Sequence, residues 1–130
     1  MFTLKIVTDF ASAHTLRDYP GACSRMHGHN WKVEVEVTGT DLDDTGMLID
    51  FKKIKKATNE ITSRLDHYYI NDIAPFDAIN PTAENLAKYF FDELQTLITT
   101  SNTNVNQVTL WETERAVSYT HLTLPTILRV

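Results

Sequence analysis

From residue 2 to residue 14 every second position, Phe2, Leu4, Ile6, Thr8, Phe10, Ser12 and His14, falls in one phase, with Thr3, Lys5 and Asp9 in the other. A period of two predicts a strand with one core face and one polar face. The pattern returns at residues 31–37, where Trp31, Val33, Val35 and Val37 alternate with Lys32, Glu34 and Glu36. Residues 15–28 between them carry Pro20 and Gly21 and read as a loop. Asp43, Asp44 and Gly46 mark a turn, and after a brief extension at Met47 to Ile49, Asp50 can cap a helix whose apolar positions are Phe51, Ile54, Ala57, Ile61 and Leu65. A second helix opens near Thr82, after Asn80 and Pro81, and sets Ala83, Leu86, Ala87, Phe90, Leu94, Leu97 and Ile98 on one side. Polar residues 102–104 end it, residues 105–113 read as a strand, and residues 116–119 form its short partner across a turn at Glu114 and Arg115. The order β-β-α-α-β-β predicts an α+β fold, an antiparallel four-stranded sheet with two helices packed on one face.

The chain has 130 residues, 42% of them hydrophobic, enough for one domain with a core and too few for two ordinary ones. A formal net charge of -5 argues against a nucleic-acid partner, which would demand clustered Lys and Arg. The one basic run, Lys52, Lys53, Lys55 and Lys56, fits the solvated side of the first helix. Polar residues interrupt the N-terminal apolar pattern, and no stretch approaches membrane-spanning length, so a soluble cytoplasmic protein without a membrane partner is expected. A single cysteine excludes an intrachain disulfide and is a candidate reactive thiol, although a small buried hydrophobe is the commoner fate.

The candidate chemistry gathers at Cys23-Ser24-Arg25-Met26-His27-Gly28-His29. On an extended chain His27 and His29 point to one side, roughly 7 Å apart, and His14 at the end of the first alternating stretch can face the same way. Three neutral imidazoles with a vacant fourth position suit catalytic zinc, whereas structural zinc sites usually close with four protein ligands. Each histidine taken alone is more often a satisfied core or surface residue. Gly28 allows a turn or a close approach to a ligand, or is an ordinary kink at a strand entry. Asp66-His67 can pair a carboxylate with an imidazole for proton transfer, or serve only as a helix-end charge interaction. Glu112 lies in a hydrophobic strand, where its ionisation needs a cation or several donors, such as a guanidine-like ring edge; alternation equally allows it to face outward.

These residues resemble the 6-pyruvoyl-tetrahydropterin synthase and 6-carboxytetrahydropterin synthase family from Phe10 to Tyr119. The resemblance rests on Phe10-Ala11-Ser12-Ala13-His14, Cys23 through His29, Gly46-Met47-Leu48-Ile49-Asp50-Phe51, Leu65-Asp66-His67 with Ile70-Asn71, Asn80-Pro81-Thr82-Ala83-Glu84-Asn85, and Glu112-Thr113. Ser12 stands where Ala is usual, and Ile70 where Leu is usual. The resemblance implies the tunnelling fold and a zinc ion on His14, His27 and His29. It makes Cys23 the proton-abstracting thiolate, with Asp66 and His67 assisting and Glu112 anchoring a pterin ring.

It further implies a homohexamer, a dimer of trimers with active sites between subunits. The short spacing from thiol to histidines resembles the bacterial branch, in which 7,8-dihydroneopterin triphosphate becomes 6-carboxy-5,6,7,8-tetrahydropterin with release of acetaldehyde and triphosphate, on the route to queuosine and other 7-deazaguanine nucleosides. The 6-pyruvoyl reaction, a non-catalytic zinc and pterin-binding module, and a metal-free pterin aldolase stand as rivals. The synthase domain is expected over residues 1–119; residues 120–130 have no counterpart in the family pattern and read as foreign or misread sequence.

Overall fold

The computed structural model describes residues 1–122, so most of the stretch expected to lack a family counterpart lies outside the described residues. Strands β1 (Phe2–His14), β2 (His27–Gly39), β3 (Thr103–Thr113) and β4 (Ala116–His121) form an antiparallel sheet in chain order. Helices α1 (Phe51–Leu65) and α2 (Ala83–Ile98) come between β2 and β3, giving the predicted order. The alternating positions explain the packing, because Ile6, Phe10, Trp31, Val33 and Val35 are buried against Ile54, Ile61, Leu65, Leu86, Phe90 and Leu94. Lys5, Asp9 and Lys32 occupy the opposite, exposed face, with the Lys32 ammonium 4.3 Å from the centre of the Trp111 ring.

Both helices begin where the sequence predicts, α1 on its expected cap and α2 at Thr82, which proves to be a cap. Asp50 accepts from the Lys52 amide at 2.9 Å, and the Thr82 hydroxyl accepts from the Asn85 amide at 3.1 Å. Two apolar positions of the predicted helix faces do not reach the core. Phe51 is exposed because it is the first helical residue, before the buried stripe begins at Ile54. Leu97 is exposed because the buried stripe of α2 runs Leu86, Phe90, Leu94, Ile98 and leaves Leu97 on its flank. Thr58 and Thr62 fill the α1 face instead, and the buried Thr58 hydroxyl is satisfied by the Ile54 carbonyl at 2.8 Å.

Two features of the sheet govern what lies at its end. β1 and β2 pair without a break down to His14 opposite His27, so β2 starts four residues earlier than its apolar alternation and absorbs the end of the predicted loop. Between β2 and β3 the register slips: Glu36 faces Gln107 but Val37 faces Val105, leaving Asn106 as an extra residue. This bulge brings Val105 and Val108 into the same buried layer although they are three residues apart. At the other end of β2, Gly39 is required by close packing, since a Cβ there would meet the Asn102 carbonyl oxygen and Leu48 Cδ1 at 2.5 Å each. β4 continues two residues past Tyr119, and among the described residues no helix is long and apolar enough to cross a membrane.

Candidate metal centre and acid-base pair

The unbroken β1–β2 pairing gathers the three histidines. His14 sits opposite His27, Ser12 opposite His29, and the ring centres lie 4.5 Å (His14 to His27), 5.3 Å (His14 to His29) and 4.9 Å (His27 to His29) apart. Trp31 supports the cluster, its ring edge-on to His14 at 5.0 Å and to His29 at 5.1 Å, and itself stacks on Phe10. His14 is fully buried, whereas His27 and His29 are partly accessible.

Hydrogen bonds fix which nitrogens are free. His14 Nδ1 lies 2.8 Å from the Pro81 carbonyl oxygen, and His27 Nδ1 lies 2.8 Å from that of Arg25. A carbonyl only accepts, so each Nδ1 carries the proton and each neutral ring turns an Nε2 lone pair toward the cluster, the form that binds metals. Burial, the largest influence, holds the His14 and His29 pKa values below the ordinary 6.5, which favours the neutral rings.

Glu112 joins them from β3. Its Oε1 is 2.9 Å from His29 Nε2, within hydrogen-bonding reach, and 3.4 Å from His14 Nε2, which is buried and makes no hydrogen bond. For His14 the contact sets a lone pair against a carboxylate oxygen, two acceptors facing each other with no proton between them. Such a contact is unfavourable unless a cation lies between them. The four side chains offer ligand atoms all within 4.8 Å of one another and could hold a metal ion. The buried, unpartnered His14 nitrogen and the borderline-soft nitrogen and oxygen donor set both fit zinc.

Residues given no role from the sequence hold His14 in place. The Asn71 side-chain amide clasps Thr15, accepting from its N–H and donating to its C=O at 2.9 Å each. Asn80 does the same to Arg17, at 2.7 and 3.1 Å. The Arg17 guanidinium then donates to the Phe76 carbonyl at 2.7 Å and the Ile79 carbonyl at 3.1 Å. Together these bonds continue the edge of β1 beyond its last residue and fix the Pro81 carbonyl on His14. The only sequence signal was the position of both asparagines inside family-like segments.

Asp66 and His67 lie at the end of α1, against the edge of β1. His67 Nδ1 is 2.9 Å from Asp66 Oδ2, and His67 adopts a left-handed backbone with φ 63° that turns its ring outward, 81% exposed. An open groove of about 520 Å³ is lined by Ala11, Ala13, Gly28, His29, Asn30 and His67. Gly28 has no positive φ, and a Cβ there would meet only the Ser12 carbonyl oxygen at 3.8 Å. Its backbone freedom is therefore not needed, and its missing side chain leaves the groove open. Cys23 lies in a single 3-10 turn, Ala22–Ser24, with its thiol exposed. One chain brings the three histidines and Glu112 together, and among the described residues no hydrogen bond joins Cys23 to His67.

The sequence model of the family described as 6-pyruvoyl tetrahydropterin synthase matches residues 3–121. A Bacillus subtilis protein named 6-carboxy-5,6,7,8-tetrahydropterin synthase is 33% identical over 123 residues, covering 91% of this chain and 82% of that one. A Synechocystis protein of the same name is 35% identical over 91 residues, covering 66% of this chain and 69% of its own. The solved structure of Caenorhabditis elegans 6-pyruvoyl tetrahydropterin synthase superposes with a TM-score of 0.82 at 28% identity, covering 94% of this chain and 96% of that one.

Proposed function

The chain belongs to the 6-pyruvoyl tetrahydropterin synthase family, and we propose that it is a zinc-dependent lyase that converts 7,8-dihydroneopterin triphosphate to 6-carboxy-5,6,7,8-tetrahydropterin, releasing acetaldehyde and triphosphate, in queuosine biosynthesis. The observation that carries the zinc reading is the His14 Nε2 lone pair, buried and facing the Glu112 carboxylate with no proton between them. The names of the Bacillus and Synechocystis relatives favour the 6-carboxy product, as does the short interval between Cys23 and His27. The 6-pyruvoyl reaction is the second reading, favoured by the fold match to the Caenorhabditis enzyme.

In this reading His14, His27 and His29 hold the zinc, which when bound would polarise oxygens on the substrate side chain. Glu112 pairs with the N–H donors of the pterin edge and orients the ring. Cys23 as thiolate removes a proton from a side-chain carbon, and its exposure leaves it free to reach a substrate in solution. His67, held by Asp66, moves protons at the side-chain oxygens. The assembly in this reading is a homohexamer of two stacked trimers with active sites between subunits, as the family resemblance implies.

The synthase domain is placed at residues 1–119, with the family match and β4 running two residues further to His121, and the tail beyond is read as foreign or misread sequence. The enzyme works in the cytoplasm on a soluble pterin triphosphate, with neither nucleic acid nor membrane as partner; its net charge of -5 and its lone reduced cysteine support that placement.

The test is to incubate zinc-loaded protein with 7,8-dihydroneopterin triphosphate and identify the pterin by mass. A 6-carboxy product lost in both Cys23→Ala and His27→Ala supports the scheme, and a 6-pyruvoyl product moves the assignment to the second reading. Activity that survives Cys23→Ala removes the thiol from the mechanism.

A further inference from the structure

We propose that Glu112 is a displaceable fourth metal ligand, closing the coordination shell while the site is empty of substrate and releasing it when a pterin ring claims the carboxylate. The inference rests on zinc occupying the histidine cluster. It concerns a second use of a residue otherwise assigned to the pterin alone.

The geometry points to ligation. Zinc with bonds of about 2.0 to 2.2 Å to nitrogen and oxygen in a tetrahedron sets neighbouring donor atoms roughly 3.3 to 3.5 Å apart. Glu112 Oε1 lies 3.4 Å from His14 Nε2, at that edge length, and 2.9 Å from His29 Nε2, shorter than it, and the same oxygen serves both contacts. A carboxylate that only paired with the imidazoles would align with an N–H. His14 Nε2 offers no such N–H, since the His14 proton is committed to Pro81 and the nitrogen is buried without a hydrogen bond. β3 carries Glu112 to this spot two residues past Leu110, which sits in the buried layer opposite Val33; Glu112 lies just beyond the β2–β3 pairing, at an irregularity in the β3–β4 register.

The two uses of Glu112 compete with each other. A guanidine-like pterin edge presents two parallel N–H donors and takes both carboxylate oxygens in a fork. While Oε1 ligates the metal, its orientation and one lone pair are committed to the ion, so the fork is weakened. Ring recognition therefore opens the fourth position only when the correct heterocycle is bound, and an empty site is shielded from stray anions. Because the competition is for one group, linkage requires that ring binding and metal binding weaken each other by the same factor.

The experiment uses full-length protein loaded with zinc or cobalt(II), and 7,8-dihydropterin, which has the ring but no side chain to offer the metal. Glu112→Gln is expected to weaken zinc binding at least about tenfold and to alter the cobalt absorption of the substrate-free protein. In the wild type 7,8-dihydropterin should shift the cobalt spectrum and weaken zinc binding, while zinc weakens 7,8-dihydropterin binding equally. A crystal structure of the zinc-loaded, substrate-free wild type checks ligation without any variant. A zinc to Oε1 distance of about 2.0 to 2.2 Å supports the inference, and a water in the fourth position with Glu112 set back overturns it. An unchanged cobalt spectrum and zinc affinity in Glu112→Gln also overturn it, but leave the lyase reading standing as long as the product assay succeeds. A wild type that binds neither metal defeats the lyase reading and this inference together.

Discussion

Ala11 and Asp66 meet across the edge of the sheet, the Ala11 amide donating to Asp66 Oδ1 at 2.8 Å while the Ala11 carbonyl accepts from the next residue, His67, at 2.6 Å. This two-point contact caps an edge strand that would otherwise offer unpaired groups, and it holds Asp66 and His67 where the chain leaves α1. Structure and candidate chemistry share the carboxylate.

The Ala11 amide, and after it the His67 side chain, hold the Asp66 pKa below the ordinary 3.8. The unfolded chain then binds a proton more readily than the folded one, so this carboxylate stabilises the fold fully above its ordinary pKa, and the contribution is lost as pH falls through the folded value. Asp66→Asn should remove that dependence. Urea midpoints of the two proteins between roughly pH 2 and 5 should show a shallower acid decline in the variant.

Asn80 is expected to matter for stability and for the metal together. Replacing it with alanine strands the Arg17 amide and carbonyl and loosens the loop that presents Pro81 to His14. A loss of about 1 to 3 kcal/mol is expected from the unsatisfied groups, read by urea unfolding of the chelator-treated protein. Zinc titration should show weaker binding, because His14 loses the partner that fixes its tautomer.

How far the sequence foretells the structure depends on whether the determinant is local. Alternation through residues 2–14 needs only a period of two, and it correctly aims His14 at His27 and His29. Asp50 and Thr82 are local caps and were equally legible. The facing of Glu112 was open from alternation alone, since a single inserted residue, Asn106, resets the phase of β3 relative to β2 and no local pattern announces it. The clasps of Asn71 and Asn80 join segments more than fifty residues apart, so their partners emerge only once the chain is folded. Leu97 shows the opposite limit: a helical period marks a broad face, and the neighbouring sheet decides how much of that face is covered.

Metal removal should make the fold sensitive to mild acid. His14 and His29 have folded pKa values below 6.5, so without metal the unfolded chain gains protons first as pH falls. Their neutral burial contributes fully above pH 6.5, and the contribution is lost as pH falls below that value toward the folded ones. Thermal unfolding in chelator should therefore drop in midpoint from about pH 7.5 to about pH 5.5. Saturating zinc should raise the midpoint throughout, most of all at the higher pH, where no proton competes for the imidazoles.

Cys23 provides the sharpest separation of chemistry from architecture. Its thiol is exposed, and its recorded contribution to the fold is a backbone carbonyl that accepts from the Leu16 amide at 3.0 Å, which any side chain would preserve. Cys23→Ala should change unfolding free energy by no more than about 0.5 kcal/mol, and zinc affinity should be unaltered because sulfur is absent from the gathered ligand set. If the thiolate is the base that removes the substrate proton, turnover should nevertheless fall by roughly 10² to 10⁴. Zinc content, urea midpoint and single-turnover rate measured on one preparation test all three statements. A variant that loses zinc along with activity would move the sulfur into the metal centre, and one that keeps its rate would leave proton removal to the imidazoles.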